Sequence, residues 1–231
     1  MLAVFRKELK FTMNFQEFAH LRPRLAAVMQ ADGHSSGFGY LVRSLYFDSV
    51  YDRDYYDTVD GLQSKAKIRL RTYGPGSPVK LELKRKEGGE SLKYSLILSR
   101  QEAEFMQQGD YDFLTEREEE VAQRIYIQLI SGAYLPKTLV EYDREAYVFP
   151  AGDVRVTFDS GTRATASNWD LFSEYPPWIP AIAYGTGVLE VKYSSLLPDI
   201  IQDILRGAQM PSANSKYVQA RQIYQIGGDL R

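Results

Sequence analysis

Several segments of the chain alternate between apolar and charged residues with a period of two, the pattern of a β-strand with two different faces. Residues 65–71 show it most clearly, because Lys and Arg fill the odd positions and Ala, Ile and Leu fill the even ones. Residues 79–86 repeat the pattern, and their charged positions hold three lysines and one glutamate. The alternate positions of a strand that share one face are called a parity below, and those that hold the charges are the charged parity. The segments predicted as strands are 2–13, 40–48, 65–73, 79–86, 92–98, 138–147, 154–159 and 188–193.

Helix-start signals lie between these strands. Asn14 followed by Glu17 has the spacing of a capping box and predicts a helix that runs to about Ala31. Ser99 is a suitable N-cap and predicts a helix over 100–107. Both helices directly follow a predicted strand, which indicates a compact β-then-α organisation.

Three more helices are predicted in the second half of the chain. Thr115 followed by Glu118 has the capping-box spacing and predicts a helix that ends near Ile130. Pro198 is placed near the start of the next helix, and Ser212 is the predicted cap of the last one. The sequence therefore mixes helices and antiparallel strands.

The residues on the charged parity distinguish an open sheet with one face in water from a closed barrel with a charged interior. A single charged strand is most simply explained by a face in water, but here the pattern recurs in six strands and consists mostly of Arg and Lys. Closure turns one face of a sheet into an interior, where like charges need water and a bound anion. We therefore predict an α+β fold with one domain over 1–231, a closed eight-stranded antiparallel β-barrel, flanking helices and an insertion at 161–186.

Composition limits the chemistry that such a fold could carry out. The formal net charge is only −2, which argues against a broad nucleic-acid-binding surface. The absence of cysteine excludes disulfides, cysteine–zinc sites and thiol nucleophiles. With two histidines, a metal site would rely on oxygen ligands, which favours magnesium, manganese or calcium over zinc. No apolar run is long enough for a transmembrane helix or a signal sequence, so a cytoplasmic location is expected.

A face of Arg, Lys and a few carboxylates is suited to a chain of phosphates. Arg side chains bind phosphate oxygens in pairs, and Lys side chains add compact positive charges. Carboxylates can hold a divalent cation that bridges phosphate oxygens, the usual division of roles in phosphoryl transfer. The residues themselves thus predict metal-assisted processing of a triphosphate or polyphosphate.

Short blocks of the sequence resemble the triphosphate tunnel metalloenzymes, the superfamily that includes the CYTH domain. The resemblance is strongest to the VTC branch, whose catalytic domain is a polyphosphate polymerase. No block is specific by itself, but their number and order cover nearly the whole chain. Besides the opening strand with Glu8 and Lys10, the blocks are VRSLYFD at 42–48, KIRLRTYG at 67–74, LELK at 81–84, VEYDR at 140–144, RVTFD at 155–159, LEVKY at 189–193 and SKY at 215–217.

The resemblance implies an enzyme that transfers the terminal phosphoryl group of ATP to a growing polyphosphate chain and needs Mn²⁺ or Mg²⁺. Catalytic roles are implied for Arg69, Arg71, Lys84, Arg144 and Glu190. Phosphate contacts are implied for Lys10, Lys67, Arg69, Arg71, Lys84, Lys93, Tyr142, Arg144, Lys192 and Lys216. Metal ligation is implied for Glu190, with Glu8, Glu82 and Asp159 as further candidates. The expected partners are ATP and polyphosphate and not nucleic acid, and a membrane-protein partner is considered because eukaryotic members of the family carry membrane segments.

Other functions stay open on the sequence alone: a hydrolase of inorganic or nucleoside triphosphates, a polyphosphate-binding module without turnover, and a cyclase of the same superfamily. In the opening strand, Arg6 stands where the broader CYTH pattern has a second glutamate, and fewer carboxylates favour a phosphate acceptor over an activated water. Structural alternatives exist as well, such as a salt bridge for Glu190 and simple packing for Tyr142. Trp169 and Trp178 are expected to pack the insertion rather than to bind adenine.

Overall fold

The structure is a computed structural model that describes residues 7–33, 39–74, 76–87, 90–194, 196–206 and 215–228. Its strands are β1 (Lys7–Asn14), β2 (Gln30–Ala31), β3 (Tyr40–Ser49), β4 (Lys65–Thr72), β5 (Val79–Glu87), β6 (Glu90–Leu98), β7 (Tyr134–Phe149), β8 (Val154–Thr165), β9 (Ile179–Pro180) and β10 (Thr186–Tyr193). Its helices are α1 (Phe15–Ala26), α2 (Arg53–Val59), α3 (Arg100–Gln107), α4 (Glu120–Ser131), α5 (Asp199–Leu205) and α6 (Lys216–Gly228), with one 3₁₀ turn at Asp112–Thr115. Arg6 and the predicted cap Ser212 lie outside the described residues.

The strands form one antiparallel sheet, and the predicted closure of that sheet was wrong. Eight strands follow the order β1-β10-β8-β7-β3-β4-β5-β6, and the short strands β2 and β9 add to β7 and β8. In the described parts of the chain the sheet has ten strands, and its two end strands, β1 and β6, do not pair with each other. The sequence pattern could not show this, because a period of two reports that a strand has two faces and not which strand lies beside it.

The chain contacts divide the protein into two compact units, each built from separate stretches of sequence. The first comprises residues 1–41, 142–162 and 182–215, and the second comprises residues 42–141, 163–181 and 216–231. The single domain over 1–231 stays a prediction.

The first unit has an apolar core on one parity of its strands. Phe11, Phe158 and Leu189 from β1, β8 and β10 belong to the same buried cluster as Phe18 of α1 and Ile201 of α5. Because side chains alternate along a strand, the charged residues of these strands occupy the other parity.

The second unit repeats this arrangement with different helices. Leu45, Ile68 and Leu81 from β3, β4 and β5 share a buried cluster with Met106 of α3 and Ile125 of α4. Burying this apolar parity stabilises the unit by roughly 25 cal/mol for each Å² of apolar surface removed from water. The opposite parity of β4 and β5 carries the cations from Lys65 to Arg71 and from Lys80 to Lys86.

Three of the four predicted helix starts that fall on described residues are confirmed, because Pro198 directly precedes α5 and the caps at Asn14 and Ser99 are present. Asn14 and Ser99 each accept a hydrogen bond from the backbone N–H of a glutamate three residues later, and that glutamate accepts one back from the cap. The predicted capping box at Thr115 was wrong, because its hydroxyl donates to the backbone oxygen of Asp112 in the 3₁₀ turn and α4 starts only at Glu120.

Several elements also differ from the prediction. Helix α1 ends at Ala26, before the predicted Ala31, because residues 30–31 pair with β7. Strand β8 continues to Thr165, so the predicted insertion at 161–186 begins inside a strand. Helix α2 (Arg53–Val59) was not predicted at all.

Candidate functional site

The charged parity of β4, β5 and β6 forms a surface that we call the cationic face. It consists of Lys65, Lys67, Arg69, Arg71, Lys80, Glu82, Lys84, Lys86 and Lys93. The strand register sets its members directly opposite one another as the pairs Lys65 and Lys86, Lys67 and Lys84, Arg69 and Glu82, Arg71 and Lys80, and Lys84 and Lys93.

Four of these five cross-strand pairs join two cations. Like charges directly opposite each other destabilise a strand pair, whereas opposite charges stabilise it. A sheet selected for stability alone would alternate the signs. The cationic face therefore carries repulsion that a bound anion would relieve.

Glu82 is the one carboxylate of the cationic face, and two cations hold it. Arg69 donates from Nε to Oε2 at 2.7 Å, and its Nη2 lies 2.7 Å from the same oxygen. The ammonium of Lys93 lies 2.5 Å from Oε1. Burial raises the pKa of Glu82, but Arg69, Arg71 and Lys93 outweigh this and lower the pKa to about 2. Glu82 is therefore ionised at any physiological pH.

The two arginines of the cationic face are also fixed by residues of β3. Arg69 donates from Nη1 to the phenol oxygen of Tyr46 at 3.1 Å, and Arg71 donates from Nε to Ser44 Oγ at 3.0 Å. Tyr46 and Ser44 are buried and lie opposite these arginines in the register of β3 and β4. The guanidinium groups are thus oriented before any ligand binds, which reduces the entropy lost on binding.

Helix α6 is joined to the same part of the second unit through its first turn. Tyr217 donates to Asp48 Oδ2 at 2.6 Å, and its ring stacks on Tyr46 with 5.2 Å between the centroids. The fully buried Asp48 also accepts backbone N–H groups of residues 49, 54 and 55. Lys216, next to Tyr217, acts electrostatically on Tyr46. Lys216 is thereby placed close to the arginines that flank Tyr46.

The first unit carries its own charged cluster on β1 and β10. Lys10 is opposite Glu190, and Glu8 is opposite Lys192, so that the signs alternate in both directions. Lys10 Nζ lies 2.7 Å from Glu8 Oε1 and 3.9 Å from Glu190 Oε2, and Lys192 pairs with Glu190. Unlike the cationic face, this cluster is balanced in charge.

Arg144 and Asp159 form a buried ion pair in the first unit. Arg144 donates from Nε and Nη2 to the two carboxylate oxygens of Asp159, each at 2.7 Å. The guanidinium carbon lies 5.2 Å from the ring centroid of Tyr142, which is also buried. Burial lowers the pKa of Arg144, but Tyr142, Asp159 and Glu190 outweigh it, so that the pKa is raised. Arg144 is therefore a permanent cation.

The carboxylates alone do not complete a metal site, so a bound metal ion would also need oxygen donors from a ligand. The described residues contain no group of three or more His, Asp or Glu side chains that could hold a metal ion. Both oxygens of Asp159 and one oxygen of Glu82 accept from arginine, whereas Glu8 and Glu190 are diagonal neighbours on β1 and β10. One or two carboxylates plus substrate phosphates is the usual donor set for Mg²⁺. Glu190 and Glu8 fit that set.

The structure thus sorts the predicted site residues into two groups. The second unit contains Lys67, Arg69, Arg71, Glu82, Lys84, Lys93 and Lys216. The first unit contains Glu8, Lys10, Tyr142, Arg144, Asp159, Glu190 and Lys192. Lys80 lies on the cationic face opposite Arg71 but was not among the predicted phosphate contacts, although its parity is the charged one. Tyr46, Asp48 and Tyr217 were not singled out either, because no pattern within the matching blocks separates their contacts from ordinary packing.

Part of the predicted insertion packs on the second unit through Arg43. Arg43 donates from Nη1 to the backbone oxygens of Leu171 and Ser173 at 3.1 and 2.6 Å, and from Nε to Glu141 at 2.5 Å. Its guanidinium carbon lies 5.4 Å from the ring centroid of Trp178, which packs partly buried against the core. The predicted packing role of Trp178 is confirmed.

Comparisons with known proteins agree with this fold. The family model of the VTC domain matches residues 5–225. A candidate adenylate cyclase from Bacillus halodurans is 15% identical, with 91% of this chain and 96% of that chain covered and a TM-score of 0.56. A candidate adenylyl cyclase from Hippeastrum, described as having a dominant triphosphatase activity, is 13% identical, with 94% and 96% covered and a TM-score of 0.56. No curated protein matches the sequence.

The family match spans nearly the whole chain, and the two solved structures share its fold. Within the described parts of the chain, no helix is both long and apolar enough to cross a membrane. On the strength of the match over residues 5–225, the chain belongs to the VTC domain family.

Proposed function

We propose that the protein transfers the terminal phosphoryl group of ATP to a polyphosphate chain. The observation that carries this proposal is the cationic face, on which four of five cross-strand pairs join two cations. A protein accepts such repulsion when a polyanion binds there. The balanced surface expected of a sheet in water is absent from these described strands.

The length of the cationic face favours a chain of phosphates. Lys65 and Arg71 are separated by six residues of β4, which corresponds to about 20 Å at about 3.4 Å per residue. Cations accompany the whole of this length, and a single triphosphate would fill only part of it. Arg69 and Arg71 present oriented guanidinium groups, which match phosphate oxygens in pairs.

The state of the carboxylates favours transfer to a phosphate over transfer to water. A hydrolase needs a base to activate its water, whereas Glu82, Asp159 and Glu190 are each ion-paired with Lys or Arg. The terminal phosphate of a polyphosphate is already largely ionised at neutral pH. In the proposed step one of its oxygens attacks the γ-phosphorus of ATP, the bond from that phosphorus to the β–γ bridging oxygen breaks, and ADP leaves with that oxygen.

Positive charge stabilises such a step because negative charge spreads over the transferred group. We assign this role to Arg69, Arg71 and Lys84 in the second unit and to Arg144 in the first. We assign phosphate binding to the other predicted cations of each unit, namely Lys67, Lys93 and Lys216, and Lys10 and Lys192, together with Tyr142. Mg²⁺ or Mn²⁺, held by Glu190 with Glu8, would supply further neutralisation of phosphate oxygens.

Glu82 and Asp159 are proposed to orient arginines rather than to hold metal. Each forms a close pair with an arginine, Glu82 with Arg69 and Asp159 with Arg144. Replacing such a contact by a metal would leave a buried or half-buried guanidinium without its partner, at a cost of several kcal/mol.

The experiment is to incubate the purified protein with ATP and Mn²⁺ and to measure polyphosphate on a gel together with free phosphate. A polyphosphate ladder with release of ADP supports the proposal. Arg69→Ala should then abolish the ladder. Arg124→Ala, which removes an exposed arginine of α4 that contacts Glu120 and the ring of Tyr94 on the apolar parity of β6, should leave it intact.

The alternatives give different products. Free phosphate without a ladder would show a triphosphatase, the activity described for the Hippeastrum protein of the same fold. Measurable binding of polyphosphate without turnover would reduce the protein to a binding module. Either result would overturn the proposed transfer.

A further inference from the structure

The contacts around Arg69 assign a role to a residue outside the predicted set. We propose that Tyr46 is a positioning residue that holds the guanidinium of Arg69 in the orientation in which it binds phosphate. This inference rests on the proposed binding of a phosphate chain at the cationic face. It adds to that proposal a residue that touches the arginine rather than the ligand.

The guanidinium of Arg69 has two hydrogen-bond acceptors on different side chains. Its Nε donates to Glu82 at 2.7 Å and its Nη1 donates to the phenol oxygen of Tyr46 at 3.1 Å. Two partners on different nitrogen atoms fix both the plane of a guanidinium and its rotation within that plane. With Glu82 alone, the group could still tilt about the single carboxylate oxygen that it contacts.

Burial and ring stacking hold Tyr46 in place. Its side chain is 4% exposed, and its ring stacks on Tyr217 at 5.2 Å with 24° between the planes. Tyr217 is in turn bonded to Asp48 at 2.6 Å, and Asp48 is held by three backbone N–H groups. A continuous series of contacts therefore runs from the end of β3 through α6 to Arg69.

The charges around the Tyr46 phenol give the proposed role a measurable dependence on pH. The charged and titratable groups near the phenol are Arg69 and Arg71 of β4, Lys216 and Tyr217 of α6, Tyr55 of α2 and Asp48 of β3 itself. Burial raises the pKa of Tyr46, but Arg69, Arg71 and Lys216 outweigh this and lower the pKa to about 8.

A bound anion changes this balance in a known direction. Phosphate at Arg69 and Arg71 offsets the cations that favour the phenolate, so the pKa of Tyr46 rises in the complex. A group whose pKa is higher in the complex takes up a proton on binding. Affinity for the anion should therefore decrease as the pH rises through about 8, in addition to any direct loss of positioning.

The test is calorimetric titration of the full chain with sodium tripolyphosphate, on both sides of about pH 8. Tyr46→Phe keeps the stacked ring and removes only the oxygen that accepts from Arg69. We expect its affinity below pH 8 to fall about three- to tenfold, the range given by one hydrogen bond of ordinary net strength. We also expect the loss of affinity above pH 8 to disappear in this variant.

Tyr111→Phe is the matched control. Tyr111 is buried in the same unit and donates to the backbone oxygen of Tyr134 at 2.8 Å, but it belongs to the apolar cluster. It should lower Tm to a similar degree and leave both the affinity and its pH profile unchanged. If Tyr46→Phe does not fold, fluorotyrosine incorporated at position 46 keeps the hydroxyl and lowers its pKa, so the pH profile should move to lower pH.

The possible outcomes separate this inference from the function on which it rests. Wild-type protein that does not bind tripolyphosphate refutes the proposed function and the positioning role together. Wild-type binding that is matched by Tyr46→Phe at every pH refutes the positioning role alone. Equal weakening by Tyr111→Phe also refutes it, because the effect would then be general loss of packing.

Discussion

Replacing Lys86 by methionine is expected to make the protein more stable while weakening its binding of phosphate chains. Lys86 is exposed and lies directly opposite Lys65. A cross-strand charge pair changes stability by about 0.2–1 kcal/mol, so removing one ammonium should relieve up to about 1 kcal/mol. In a chain of 231 residues, about 1 kcal/mol corresponds to a rise in Tm of about 2–4 °C.

Thermal unfolding at low ionic strength measures the first effect, since salt screens exposed charges. The control is Arg85→Met, because Arg85 is on the other parity of the same strand and donates to Glu87 at 2.5 Å. It removes a cation with a favourable partner and should not raise Tm. Affinity for tripolyphosphate should fall about tenfold for Lys86→Met, as expected for one lost charge-assisted contact.

The expected stabilisation is refuted if Lys86→Met lowers Tm at low salt, or if Arg85→Met raises it by the same amount. It is also refuted if the gain in Tm does not shrink on adding salt. Each of these results would mean that the lysines opposite one another are not a source of instability, and the cationic face would lose its value as a sign of function.

Three further changes test other parts of the structure. Asp159→Asn should destabilise the protein by about 3–5 kcal/mol in urea denaturation, because it leaves Arg144 buried without its carboxylate. Glu190→Gln should abolish turnover with ATP and Mn²⁺ and preserve binding of tripolyphosphate in the absence of metal; loss of both would point to a structural role. Burial and Asp48 raise the pKa of Asp54 from 3.8 to about 7, so stability should fall as the pH rises through this window and then level off. Asp54→Asn should remove that part of the decrease, and an unchanged pH–stability curve would contradict the assignment.

The sequence located helix starts and strand faces well where the interactions involve residues that are close together in the chain. A cap such as Ser99 acts on the residues that directly follow it, and the alternation from Lys65 to Arg71 reports the two faces of a single strand. These features need no information about distant parts of the chain. The charged parity, and with it most of the cationic face, could therefore be read from the sequence.

Features that depend on distant residues could not be read in this way. Closure of the sheet depends on whether its first and last strands pair, and α2 is short and stabilised by Asp48, which accepts N–H groups from its first turn. Thr115 has a valid capping-box spacing, yet its hydroxyl bonds inside a 3₁₀ turn. The role proposed for Tyr46 depends on Tyr217, which lies far along the chain but stacks on its ring.

The bond between Tyr217 and Asp48 also has a consequence for biosynthesis. The two residues are 169 positions apart, and Arg221 reaches Asp52 across the same separation. At a translation rate of about 5–20 residues per second, the strand that carries Asp48 waits about 10–30 s for its partner. During that time Asp48 lacks one of its four donors and Tyr46 lacks the ring that covers it. The nascent chain can thus form strands β3–β6 well before Tyr217 supports Tyr46, and if the proposed function holds, ribosome-bound intermediates should bind tripolyphosphate more weakly than the finished protein.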